Sequence, residues 1–328
     1  MARENTPRRT INIGGFRQRL LRWFQSHHRH LPWRGERDPY RILVSEIMLQ
    51  QTRVAVVEDR YHKFVAQFPT PQKLARAREQ TVLAAWSGLG YYRRARNLQA
   101  AAKKIAERDE FPRTAAALEE LPGIGRYTAA AVASIAFGEP VAVVDGNVKR
   151  VLDRLFGCSC DGAREKQYWE RAENLLDYRR PGDFNQAMME RGALVCVPGQ
   201  PVCDRCPVAT MCATRGPVDK RERQARRKAV LRYALVRRKG ALLLSQRPHH
   251  SSLMPGMWEL PLLNDAEHFT DPPVLKLRHS ITTTDYTVFV HSVLTGNRTR
   301  GRWVSLAASR RLALTGLARK ILERISDD

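Results

Sequence analysis

The chain has 328 residues, with Lys+Arg 56 against Asp+Glu 33 and a formal net charge of +23. That length supports two cores, and the arginine-rich excess favours a polyanion partner, nucleic acid ahead of an anionic membrane. No run of about 18 apolar residues exists, which excludes a spanning helix, and the polar stretch 1–10 lacks a signal-peptide core.

A cytoplasmic, nucleoid-associated location is the expectation, and the six cysteines are read in a reducing compartment, where metal binding competes better than disulfides. Residues 1–13 read as a disordered lead. Phe16, Leu20, Leu21 and Phe24 then share one helical face. His27, His28 and His30 follow with no local acid or cysteine. They read as a solvated helix end, and Leu31-Pro32-Trp33-Arg34 stops the helix.

A second helix is expected over residues 40–54. Leu43 and Leu49 place Glu46 on or beside its apolar face. A carboxyl there has a raised pKa and stays protonated near neutral pH, as a general acid requires. The alternative is a glutamate at the edge of an exposed stripe. Gln50, Gln51 and Thr52 are neutral hydrogen-bonders suited to reading bases, or a solvated helix end. Helical segments are expected at 71–78, 81–86 and 91–107. Between the last two, Gly88-Leu89-Gly90-Tyr91-Tyr92 exposes Leu89 and Tyr91 as a wedge into a base stack, or caps a helix with core aromatics.

Residues 121–150 organise the rest. Gly123-Ile124-Gly125 lets the backbone turn closely before a small-residue helix, and amides at a helix start bind an anion, here a DNA phosphate. The apolar run 141–144 then delivers Asp145 before Gly146-Asn147 and another helix. An ordinary helix connection and a helix-capping aspartate are the plainer readings of the two parts.

Further helix is expected to about residue 178, and again over 184–195, which carries Glu190. Cys158 and Cys160 read as spare thiols. Cys196, Cys203, Cys206 and Cys212 form a C-x6-C-x2-C-x5-C array. Four thiolates so spaced can close around an iron–sulfur cubane; structural zinc usually shows two tight C-x2-C pairs. Residues 215–228 are charged and read as a basic linker. From Ala229 the texture turns to strands: 229–238 and 241–248 as a hairpin, then 287–294 and 302–306, then a helix over 314–325.

These segments together resemble the adenine DNA glycosylase (MutY) family of helix-hairpin-helix, iron–sulfur glycosylases. The resemblance rests on LPWR at 31–34, SEIMLQQT at 45–52, GLGYY at 88–92, LPGIGRYTA at 121–129, VDGNVKRV at 144–151, FNQAMME at 184–190 and the cysteine spacing. It implies a mostly α glycosylase domain with a [4Fe–4S] cluster over 14–214, and an α+β MutT/Nudix-like lesion-recognition domain over 229–328. It implies a monomer acting on double-stranded DNA that carries adenine opposite 8-oxoguanine or guanine. Glu46 and Asp145 would be catalytic, supported by Tyr127 and Asn147. Trp33, Arg34 and Glu190 would line the adenine pocket. Leu49, Gln51, Thr52, Leu89 and Tyr91 would fill the gap or hold the opposite base, and Gly123 and Gly125 would hold phosphate. Bifunctional relatives carry a Schiff-base lysine where Tyr127 stands, so base excision without amine-driven strand cleavage is implied.

The Nudix run of glutamates is missing. Asp265 and Glu267, just after the Trp258 motif, are too few to build it, so pyrophosphate hydrolysis is not expected. Residues 278–283 match the family's Phe-Ser-His-like loop. Thr282 is a fair substitute, but Thr283 stands where relatives often have histidine. It is short, so weaker 8-oxoguanine discrimination is expected. Residues 197–202 lack the basic side chains that relatives often carry there. A thymine or uracil glycosylase acting opposite guanine, and a non-catalytic lesion binder, remain as alternatives.

Overall fold

The computed structural model describes residues 11–108, 110–157, 165–217, 225–263, 272–293, 301–309 and 311–325. Residues 1–10 of the expected lead, Cys158, Cys160, the centre of the expected linker, Asp265 and Glu267 lie outside them. In chain order the helices are α1 (Ile13–His27), α2 (Pro39–Leu49), α3 (Val54–Gln67), α4 (Pro71–Arg76), α5 (Glu79–Ala85), α6 (Arg93–Ala106), α7 (Ala115–Glu119), α8 (Arg126–Phe137), α9 (Gly146–Phe156), α10 (Glu165–Leu175) and α11 (Pro181–Leu194). There follow β1 (Arg227–Leu235), β2 (Arg237–Arg238), β3 (Ala241–Gln246), β4 (Trp258–Glu259), β5 (Leu275–Ile281), β6 (Thr284–Ser292), β7 (Arg302–Ser305), α12 (Leu306–Ser309) and α13 (Gly316–Ile325). The backbone divides into two compact units. One holds residues 1–72 and 100–221, the other residues 73–99 and 222–328.

The first unit is helical. Phe16, Leu20 and Phe24 of α1 share a core with Val151, Leu152 and Leu155 of α9 and Phe184 and Met188 of α11. Two glycines on α11 permit its close packing. A Cβ at Gly182 would lie 2.6 Å from the Ser134 carbonyl oxygen of α8, and one at Gly192 would lie 2.6 Å from Asn147 Cβ on α9. The single helix expected over 40–54 is instead broken. α2 ends at Leu49, Gln51 is left-handed at φ 55°, and α3 begins at Val54. No glycine or proline marks this break, so helical periodicity reads straight through it. The turn leaves Gln51 exposed and Thr52 half-buried.

The second unit contains the strands. The expected long hairpin of β1 with β3 is corrected. β1 runs parallel to β6 from Arg227 opposite Thr284 to Leu235 opposite Ser292, and β6 pairs antiparallel with β5. Only the two residues of β2 pair with β3, across a turn at Lys239-Gly240, where both residues have positive φ. The turn chemistry was legible; the partner of β1 is more than fifty residues away in sequence and was not. Tyr233, Leu235, Leu244, Val288, Val290, Leu317 and Ile321 form the core here. Residues 73–99 belong to this unit through hydrogen bonds such as Gln80 Nε2 to the Gly256 carbonyl at 3.0 Å and Tyr92 hydroxyl to the Leu314 carbonyl at 3.2 Å.

Candidate active site

Three helix starts build the site. Asp38 caps α2, its Oδ1 accepting from the Tyr40 and Arg41 amides, and Pro39 takes the first position, where a missing N–H costs nothing. This sets Glu46 two turns along α2, 5% exposed, among Ile42, Leu43 and Ile47. Tyr127, second residue of α8, donates its hydroxyl to Glu46 Oε2 at 2.6 Å. Burial pushes the Glu46 carboxyl above its ordinary range. The Tyr127 hydrogen bond and the Arg34 charge oppose the shift, and the Asp145 charge adds to it.

Asp145 caps α9. Its Oδ1 accepts from the Val148 amide at 2.7 Å, and its Oδ2 accepts from Asn147 Nδ2 at 2.8 Å. Burial raises this carboxyl too. Here the Val148 amide, the Asn147 side chain and amide, and the Arg150 charge all pull the other way. Both oxygens sit at the positive end of a helix, so this is the carboxyl better arranged to be an anion. The run before it is pinned by Asn185, which accepts from the Val143 amide at 3.1 Å and donates to the Val141 carbonyl at 2.9 Å. Asn185 lies inside the quoted 184–190 segment, but its role was not legible there.

Glu190 is 1% exposed and is tied to two arginines. Arg29 donates its amide, Nε and a terminal nitrogen at 2.8–2.9 Å, and Arg34 donates a terminal nitrogen at 2.7 Å. Burial alone would raise this carboxyl; the Arg29 hydrogen bonds and the Arg34 charge outweigh it and hold it below the usual range. Arg34 also donates to Gln186 Oε1, and its buried Nε has no acceptor among the described residues. Trp33 is buried edge-on against Tyr61 at 5.5 Å between centroids. Leu49 and Thr52 are half-buried at the α2–α3 break. Arg29 and Gln186 were not anticipated, because their carboxylate and arginine partners lie more than a hundred residues away.

Between α7 and α8, Gly123 is left-handed at φ 75°, Ile124 is buried, and Gly125 sits at the cap position just before α8 and offers no side-chain cap. A Cβ on Gly125 would meet nothing within 4 Å, so the first amides of α8 are approachable.

The four clustered cysteines are free, and three of them meet arginines. Arg154 donates to Cys196 Sγ at 3.2 Å, and Arg191 donates to Cys206 Sγ at 3.3 Å and Cys212 Sγ at 3.5 Å. Arg150 joins this region to Asp145. It donates to the Cys196 carbonyl, the Gly192 carbonyl and Asn147 Oδ1, and Asn147 in turn donates to Asp145.

In the second unit, Gly88 and Gly90 have positive φ. Tyr91, left-handed at φ 44°, is 49% exposed, whereas Leu89 is buried at 4%. Thr282 and Thr283 are exposed at the β5–β6 turn, and Ser280 donates to Asp285 at 2.6 Å. The 88–96 turn, Leu253, Met254, His279 and Thr282 line one cavity of about 650 Å³.

A family model described as HhH-GPD superfamily base excision DNA repair protein matches residues 44–176. Adenine DNA glycosylase of Homo sapiens is 45% identical over 66% of this chain and 42% of its own length. Adenine DNA glycosylase of Rattus norvegicus is 37% identical over 82% of this chain and 67% of its own length. The chain thus spans less than half of the human relative. Among solved structures, a thermostable thymine-DNA glycosylase superposes with a TM-score of 0.57 at 32% identity, over 61% of this chain and 95% of that one. With its paired carboxyls, its glycine turn and this coverage of the rat relative, the chain belongs to the adenine DNA glycosylase family.

Proposed function

We propose that the chain hydrolyses the N-glycosidic bond of adenine opposite 8-oxoguanine or guanine in double-stranded DNA, leaving an abasic site. The observation that carries this reading is the contrast between Glu46 and Asp145: two carboxyls within reach of each other's charge, one held by a single hydroxyl, the other by a helix start.

The adenine leaves the stack before chemistry. Glu46, protonated, donates its proton to adenine N7, so the base departs neutral. Asp145, ionised, stabilises the oxocarbenium-like sugar and guides water, the two-carboxylate logic of glycoside hydrolysis. Asn147 and the Val148 amide keep Asp145 in the anionic form; Tyr127 fixes the Glu46 rotamer. Arg34 offers an unused buried donor to the base beside Trp33, and Glu190 holds Arg34 in place. No amine stands where Tyr127 does, so strand cleavage through a Schiff base has no nucleophile at that position. The α8 amides after Gly123 and Gly125 hold phosphate. In the first unit, Gln51 and Thr52 at the α2–α3 break serve the opposite base. In the second unit, the exposed Tyr91, Thr282 and Thr283 are its own candidates for contacting DNA; Leu89, buried, is not a wedge. The strand-containing second unit is the MutT-like recognition domain of this reading.

Cys196, Cys203, Cys206 and Cys212 would hold a [4Fe–4S] cluster, which supplies a structural closure of their loop. The spacing, with one tight C-x2-C pair, is not the two tight pairs usual for structural zinc. A cubane instead takes each thiolate on a separate iron. The buried Arg191 NH1, which lacks a protein acceptor among the described residues, favours an anionic group in their midst.

Single-turnover cleavage of duplexes carrying adenine opposite 8-oxoguanine or guanine, each split with and without hot alkali, tests the reading. Alkali-dependent breaks at the adenine support monofunctional excision. No breaks in either duplex overturn it and point to the alternative of thymine opposite guanine; thymine is the base named for the solved structural neighbour.

A further inference from the structure

We infer that Arg191 is the internal counter-charge of the iron–sulfur cluster and sets the cluster's electron affinity. The inference rests on the cluster reading above. Arg191 is 1% exposed, on α11, five residues before Cys196. Its Nε reaches Cys206 Sγ at 3.3 Å and one terminal nitrogen reaches Cys212 Sγ at 3.5 Å. The other, NH1, has no acceptor among the described residues.

A guanidinium withdrawn from water needs an anion close by. Neutral thiols do not supply one. Four thiolates on a 2+ core leave a dianion, and the guanidinium compensates it. Its neighbour Arg154 differs. That side chain also donates to the Val197 carbonyl at 2.9 Å and the Gly199 carbonyl at 3.2 Å, so it braces the loop as well as the sulfur of Cys196. The side chain of Arg191 makes no such loop contact among the described residues, and the two of its donors that have acceptors reach sulfur.

The direction of the effect follows from charge. Gaining one electron turns the dianionic cluster into a trianion, which a nearby cation stabilises, so Arg191 raises the reduction potential. In the same sense it makes loss of an electron harder. One electron passing to a one-electron oxidant such as ferricyanide takes the core from 2+ to 3+. The 3+ core then releases Fe²⁺ and leaves [3Fe–4S]⁺. Arg191 therefore protects the cluster from oxidative loss.

The test uses the full chain and its Arg191→Met and Arg191→Lys variants. Iron, acid-labile sulfide and zinc are measured first. Native protein holding zinc, or no iron and sulfide, overturns the cluster reading itself. With the cluster present, voltammetry without DNA gives the midpoint potential, and ferricyanide bleaching gives the rate of loss. Arg191→Met is expected to shift the reduction equilibrium at least tenfold, about 59 mV to lower potential, and to bleach faster. Arg191→Lys, which keeps the charge, shifts less. A loaded Arg191→Met protein with native potential and bleaching overturns the inference. If the Arg191 variants do not load, Arg154→Lys protein labelled with ¹⁵N-arginine is oxidised by ferricyanide to its paramagnetic [3Fe–4S]⁺ form and read by pulsed EPR. A remaining guanidinium coupling supports Arg191 at the cluster, and none overturns it.

Discussion

Glu46 and Glu190 are almost equally buried, at 5% and 1% exposure, yet their pKa values move in opposite directions. Burial acts the same way on both, disfavouring the charge. The donors differ. Glu190 accepts from two arginines, and Glu46 accepts from one neutral hydroxyl. Asp145 stands between them, raised by burial but held by a helix start. Depth therefore does not assign an acid its role; the count and charge of its donors do. The acid with the weakest support is the one free to give up a proton, and the best supported one positions arginines.

Four changes break or sharpen this comparison. Glu46→Gln removes the proton donor and leaves the shape. Single-turnover excision of adenine is expected to fall about 10²- to 10⁴-fold, with duplex affinity retained; an unchanged rate would show that the raised acid is only structural. Glu190→Ala strands Arg34 and the partly exposed Arg29. Urea unfolding is expected to show a loss of about 3–5 kcal/mol, near the lower end because solvent screens Arg29.

The third change is in pH. Glu46 must be protonated, so activity declines as pH rises through its raised pKa. Asp145 must be ionised, so activity declines as pH falls through its own raised pKa. The bell in the single-turnover profile is expected to sit above that of two ordinary carboxyls. Tyr127→Phe removes a donor that holds Glu46 down, so the alkaline limb moves to higher pH; a fixed limb assigns that limb to another group. Stability follows the same sign. The Glu46 contribution is full below its unfolded pKa and is lost as pH rises through its folded one, and Glu46→Gln flattens that part of the pH dependence. The smallest effect belongs to the second unit. Thr283→His is expected to raise the rate ratio of the 8-oxoguanine pair over the guanine pair by up to about tenfold, the worth of one hydrogen bond. An unchanged ratio would remove Thr283 from recognition.

Much of the helical unit was legible because its signals are local. Phe16, Leu20 and Phe24 recur at helical spacing. Asp145-Gly146 marks a helix start, and Gly123-Ile124-Gly125 marks a turn. The break after Leu49 was hidden, since Gln51 takes a left-handed conformation without glycine.

The sequence by itself singled out the residues on which the proposed chemistry rests: Glu46 on an apolar face, Asp145 behind an apolar run, Tyr127 where the resemblance would put an amine, and four cysteines at a telling spacing. Only the tertiary structure decided their states. Tyr127 meets Glu46 across 81 positions, Arg29 and Arg34 meet Glu190 across more than 150, and β1 finds β6 rather than β3. Charge, donor count and strand partner depend on distances that close when the chain packs, and no local pattern encodes them.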